Sequence, residues 1–171
     1  MMAFLCGGIE YAPEGGRAWR IHLRAWLEEN LNHHVYDHAL EGRRVLGEAE
    51  WAKLGTLKVT DLDRFRKVRH TLISHDLDVV TNRTDYVIAY WDEPAVQGGE
   101  SSALLTAAHR KGIPVYFVTE IPIEQIGGWV VGCTTKIFSS FEELKSFLTA
   151  TYISEVRQRA LRGSARGQGE Q

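Results

Sequence analysis

The feature that most constrains this chain is the run Asp85-Tyr86-Val87-Ile88-Ala89-Tyr90-Trp91, β-branched and aromatic with no polar interruption after Asp85. A strand with one wet face alternates apolar and polar side chains, so a strand without alternation must be covered on both faces. The run predicts a central strand inside a layered domain.

The rest of the chain supplies the covering layers. Residues 3–6, closed by Gly7-Gly8, and residues 113–119 read as further buried strands, and His34-Val35-Tyr36 as a short one. Trp19, Leu23, Trp26, Leu27 and Leu31 fall on one helical stripe over residues 17–31. Thr60-x-x-Asp63 resembles a capping box opening a helix with Leu62, Phe65, Val68 and Leu72 that runs toward Val80. A helix over residues 100–111 stops at Gly112, and Ser140-x-x-Glu143 caps one that buries Phe141, Leu144, Phe147 and Leu148. A helix is expected over residues 48–54, residues 37–47 carry no readable pattern, and residues 129–131 with 136–138 read as a last short strand region.

Strands alternating with helices imply a three-layer, Rossmann-like α/β fold, a parallel sheet with helices on both faces. One domain is expected over residues 1–161, with residues 162–171 a disordered tail too rich in Gly, Ser, Arg and Gln to bury apolar surface. Twenty basic residues nearly balance 22 acidic ones, so nothing attracts a polyphosphate without regard to sequence, and no nucleic acid is expected as a partner. Cys6 and Cys133 form no CxxC pair and read as packing thiols. His33, His34, Asp37 and His38 match no ligand spacing, and neighbouring strand residues face opposite ways, so no metal and no cofactor are expected. The apolar stretch before Gly7 is too short for a signal peptide or a membrane span, which points to a cytoplasmic protein without a membrane partner.

Ligands of such sheets sit at the carboxyl ends of the strands. Three segments leave those ends, residues 7–20, 37–41 and 92–102, and are expected to converge on one crevice. Gly7-Gly8 either lets a ligand approach the backbone or simply makes a tight turn. Asp76 is either a carboxylate for sugar hydroxyls or a solvated helix residue. Asp92, just past the central strand, is better placed for a ligand. Gly98-Gly99-Glu100-Ser101-Ser102 leads into a helix N-terminus, which favours negative charge. Glu100 is thus either a first-turn acid or a nucleophile aimed at a sugar C1. Trp91 is the aromatic expected to stack on a base, whereas Trp19, Trp26 and Trp51 read as core by spacing.

Taken together, Phe4-Leu5-Cys6-Gly7-Gly8-Ile9-Glu10-Tyr11 with Trp19-Arg20, Val35-Tyr36-Asp37, Asp61-Leu62-Asp63-Arg64-Phe65-Arg66, His75-Asp76-Leu77, residues 84–92 and Gly112-Ile113-Pro114-Val115-Tyr116 resemble the nucleoside 2-deoxyribosyltransferase-like superfamily, especially its small phage and bacterial members. The resemblance spans residues 4–148. It implies an oligomeric α/β protein, a homodimer or larger, that binds a nucleoside or nucleoside monophosphate and cleaves or transfers at its N-glycosidic bond. Such enzymes attack the deoxyribose C1 with a glutamate and need an acid near the departing base.

By this resemblance Asp76 matches a sugar-contacting aspartate, Asp92 lies where another active-site acid is common, and Gly7, Gly8, Ile9 and Tyr11 match the first substrate loop. Trp19, Asp37, Trp91, Gly98, Gly99 and Ser101 complete the expected binding set, with Glu100, Asp76 and Asp92 as catalytic candidates. One departure stands out. The family loop reads G-T-x-x-E, and counting back from Pro114 puts its glutamate at Leu104, so Glu100, one turn earlier, is the substitute. The alternative is a catalytically inactive nucleotide-binding or sensor module of the same fold.

Overall fold

The computed structural model describes residues 1–153, so the expected tail at 162–171 and the end of the expected domain lie outside the described residues. Five parallel strands, β1 (Met2–Gly7), β2 (His34–Asp37), β3 (Tyr86–Tyr90), β4 (Val115–Val118) and β5 (Lys136–Phe138), form one sheet in the order β2-β1-β3-β4-β5. The connecting helices are α1 (Arg17–Leu31), α2 (His38–Leu46), α3 (Glu48–Trp51), α4 (Leu54–Thr60), α5 (Leu62–Asn82), α6 (Glu93–Gln97), α7 (Glu100–Arg110), α8 (Gly128–Gly132) and α9 (Phe141–Leu148).

Period-two alternation splits the core into two layers. Ala3, Leu5, Tyr86, Ile88, Tyr116 and Val118 face α1 and α9 and pack on Leu23, Leu27, Leu31, Leu144 and Leu148. Phe4, Cys6, Val87, Ala89, Val115 and Phe117 face the other way, onto Val79 and Val80 of α5, Leu104, Leu105 and Ala108 of α7, and Val130 of α8. The three-layer α/β expectation holds, and β3 is covered on both faces as its composition requires.

From β1 the chain passes outward through α1 to β2, then returns across β1 through α5 to β3. The reversal makes a topological switch point between β1 and β3, where Gly7 lies opposite Tyr90.

Local readings differ from the structure in four places. Thr60 closes α4, and Asp61 is the cap of α5, its carboxylate accepting from Arg64 N at 3.0 Å. Residues 129–131, expected as strand, lie in the short helix α8, which Gly127 and Gly128 open. The single helix expected over residues 48–54 is two short helices, α3 and α4. The unread segment after Asp37 is α2, capped by the Asp37 carboxylate, which accepts from Ala39 N at 3.1 Å.

Leu105 is fully buried where α7 crosses the sheet. Leu105→Ala is expected to lower unfolding free energy in urea by about 2–5 kcal/mol, the range for removing a buried leucine side chain.

Candidate functional site

The β1–α1 loop is built around Arg20. Its guanidinium is 1% exposed and donates to four carbonyls: Nη2 to Gly7 O at 2.9 Å, and Nη1 to Gly8 O at 3.3 Å, Gly15 O at 3.0 Å and Gly16 O at 2.9 Å. Nε lies 3.5 Å from Asp37 Oδ1. Gly16 holds φ at +66°, and a Cβ there would sit 2.7 Å from Gly8 O. At Gly8 a Cβ would meet Pro94 Cβ at 2.6 Å and Ala95 N at 2.8 Å. The glycines thus let the loop close on its own arginine and on α6 as well as lining a cavity.

Two adjoining cavities open at this end of the sheet, rather than the single crevice expected. The first, about 530 Å³, lies against the switch point and is lined by Gly7, Gly8, Asp76, Gly98, Gly99, Glu100, Ser101 and Leu104, with Arg66, His70, Ile73 and Leu77 of α5 opposite α7. The second, about 730 Å³, lies between α1, α2 and the start of α5, with Arg20, Arg24, Asp37, Arg43 and Trp51 on its walls. Ile9, Glu10, Phe65 and Arg69 line both and form the partition. Both volumes are in the range of small-molecule sites.

Asp76 is buried, which excludes the solvated-helix reading. Its Oδ1 accepts from Tyr36 Oη at 2.7 Å. Burial pushes its carboxyl up to about 7; the Tyr36 hydrogen bond pulls the other way, and the nearby Glu100 adds to the rise. Burial also raises the Tyr36 hydroxyl above its ordinary range, so it remains the donor.

Glu100 opens α7 and faces the same cavity, with 32% of its side chain exposed. Desolvation raises its carboxyl above the usual value, opposed first by Arg69, whose Nη1 stands 3.8 Å from Oε2. Arg69 Nη2 is 3.7 Å from Glu10 Oε2, and Glu10 also accepts from Lys58 Nζ at 2.6 Å. Leu104, one helical turn after Glu100, lines the same cavity, so both positions weighed for a nucleophile face one space.

Several other expected residues lie away from this cavity. Asp92 caps α6, accepting from Ala95 N at 3.0 Å, and lines neither cavity. Trp91, expected to stack on a base, is instead 4% exposed in the core, its ring 5.6 Å from that of Phe117, because the residue just past β3 still bonds to β4 through Val118 O and continues the strand's alternation. Trp19 packs between Tyr90 and Phe141, and Tyr11 is exposed beside Lys58, both outside the cavities. Asp37 belongs to the second cavity and Ile9 to the partition. Ser101 is buried, and its carbonyl accepts from the Cys6 thiol at 3.9 Å, a thiol that burial pushes up to about 12.

Arg20, Tyr36, Arg69 and Trp51 are the site residues that motif reading missed. Arg20 carried a signal: it shares the stripe of Leu23, Leu27 and Leu31, where a charged residue must be paired or saturated with hydrogen bonds. No group of His, Cys, Asp and Glu among the described residues could hold a metal ion. No described helix is long and apolar enough to cross a membrane.

No protein-family model matches the chain, and no curated protein does. Among solved structures, the fold is similar to that of a 2-deoxyribosyltransferase from the psychrotolerant bacterium Bacillus psychrosaccharolyticus, with a TM-score of 0.60 and 14% sequence identity over 85% of this chain and 90% of that one. At that identity the likeness establishes the shared fold.

Two expectations follow from this geometry. Arg20→Ala strips four carbonyls and Asp37 of their cation, and chemical denaturation is expected to show a loss of about 3 kcal/mol or more. Asp76 works in the opposite sense. Its carboxyl lies near 7 when folded against an ordinary 3.8, so the folded state binds this proton more tightly. That contribution is complete below 3.8 and disappears as pH rises through 7. Asp76→Asn, which cannot ionise, is therefore expected to stabilise the protein at pH ~8 by on the order of 1–3 kcal/mol, with the gain shrinking toward pH ~4. Thermal melts of both proteins across that pH range check it.

Proposed function

We propose that the first cavity binds a nucleoside or nucleoside monophosphate and that the protein cleaves or transfers its N-glycosidic bond. The observation that carries this reading is the pair of unlike carboxyl groups, Asp76 and Glu100, facing one cavity at the switch point. With a carboxyl near 7, Asp76 carries a proton for part of the time at neutral pH, the condition for a general acid toward a departing base. Glu100, whose carboxyl is raised by desolvation and whose charged form Arg69 favours, is the matching nucleophile. The likeness in fold to a 2-deoxyribosyltransferase supports the same class of chemistry.

In the first step a Glu100 carboxylate oxygen bonds to the sugar C1. The C1–N bond breaks, its electron pair stays on the base nitrogen, and the Asp76 proton goes to the base. In the second step a water oxygen or the nitrogen of another base attacks C1, the ester bond to Glu100 breaks, and Asp76 takes back a proton from the attacking group.

A second reading, an inactive nucleotide-binding or sensor module, is favoured by one observation: Leu104 occupies the position at which the superfamily resemblance places the glutamate, and it is 3% exposed among apolar neighbours.

The deciding experiment incubates the protein with deoxynucleosides, their monophosphates and free bases and follows base release or exchange by chromatography. Turnover is expected, with Glu100→Gln abolishing it and Asp76→Asn lowering kcat about 10²-fold. The rate should fall above pH 7 as Asp76 loses its proton, and fall on the acid side as Glu100 gains one. Turnover that survives Glu100→Gln removes the assigned nucleophile; saturable nucleoside binding without turnover selects the module.

A further inference from the structure

The second cavity has a polar floor that the described residues leave incompletely paired. Arg20 and Arg24 both converge on Asp37, Arg20 Nε at 3.5 Å from Oδ1 and Arg24 Nη2 at 3.7 Å from Oδ2. Both nitrogens are buried and have no hydrogen-bond partner among the described residues. The Asp37 carboxylate is also engaged elsewhere, since Oδ1 accepts from Ala39 N at 3.1 Å and from Leu40 N at 3.4 Å to cap α2. Two guanidinium groups against one carboxylate leave a surplus positive charge at the inner end of a 730 Å³ hollow. A buried cationic donor without an acceptor is costly, and an anionic oxygen is its best complement.

The walls above this floor are of another kind. Trp51 rests on α2 at Gly42, where a Cβ would come within 2.5 Å of its Cζ3, and Arg43 lies over its ring at 5.8 Å. Phe65 stands on the partition side. Glu28 and Glu48, both exposed, lie along the rim and offer acceptors to hydroxyl or amine groups. Cationic donors below, aromatic faces at the sides and carboxylates at the mouth together match a planar ring, hydroxyls and a phosphate.

We infer that this second cavity is a separate binding site for a ring-bearing phosphate of nucleotide type, its phosphate held by Arg24 over the Arg20–Asp37 pair and its ring lying against Trp51 or Phe65. The inference does not depend on catalysis in the first cavity. Arg69, on the shared wall and drawn to Glu10 and Glu100, is a side chain through which occupancy of one cavity would be felt in the other.

Calorimetric titration with adenosine 5′-monophosphate tests it, with inorganic phosphate and adenosine as separate arms. Saturable binding is expected for the monophosphate, with a component that Arg24→Gln weakens tenfold or more, that Trp51→Ala weakens, and that persists when Asp76→Asn alters the first cavity. Arg24→Lys, which keeps the charge beside Asp37, should fold normally and show a smaller loss, separating lost contacts from lost structure. Binding abolished by Asp76→Asn and indifferent to both Arg24 substitutions would put the ligand in the first cavity and overturn the inference. So would an absence of binding to the wild-type protein. Because the readout is heat of binding, failure of the proposed glycosidic chemistry would leave this result standing.

Discussion

The rest of this structure depends on a buried guanidinium. Arg20 collects the carbonyls of Gly7, Gly8, Gly15 and Gly16, which lie at the two ends of the loop leaving β1, and stands against Asp37 at the end of β2. A loop with three consecutive residues at positive φ, Glu14, Gly15 and Gly16, has no ladder to join, so its carbonyls need a donor from elsewhere. Arg20 supplies that donor from the core side. Because the same loop walls both cavities, their shapes follow from this arrangement.

Asp76 obeys a related logic with the opposite outcome. It shares the buried stripe of α5 with Leu72, Val79 and Val80, as Arg20 shares that of α1 with its leucines. Arg20 gives four hydrogen bonds to loop carbonyls and stays with the framework. Asp76 has one strong partner, Tyr36, which leaves its ionised form poorly solvated and its proton held near neutrality. A carboxyl in that condition opposes folding at neutral and alkaline pH, so the packing around it has to be stable enough to carry it. Residues of this kind mark functional sites more often than structural ones.

These two stripes show how much the sequence disclosed. The sheet and its covering helices were legible because β3 has no polar face and α1 repeats its leucines at helical spacing. The charged member of each stripe was in view as well. A helix surface is the ordinary place for an aspartate, but Asp76 shares its face with Leu72, Val79 and Val80. What could not be read depended on contacts distant in the chain. Residues 38–46 form a helix whose small Gly42 is matched to Trp51, a pairing with no local signature. Residues 129–131 are apolar and β-branched enough to pass for strand, yet flanking glycines and packing on α7 make them helix. The convergence of three loops on one crevice failed for a similar reason. Phe65 and Arg69 come from the long helix between β2 and β3 and divide the space.

That partition bears on how the fold relates to its chemistry. The order of strands brings the loops after β1, β2 and β3 to one end, and a likeness in fold carries no more than that. The electrostatic arrangement is local to this chain: Lys58, Glu10, Arg69 and Glu100 run as alternating charges from the rim of the partition to the start of α7. The separations of 3.7 and 3.8 Å leave Arg69 attracted to both carboxylates and hydrogen-bonded to neither. A guanidinium so balanced can reorient at little cost when a ligand supplies a better acceptor, and Glu100, once left by it, becomes more basic. The position of Arg69 and the basicity of Glu100 are therefore one variable, and the cavities on either side of the partition share it.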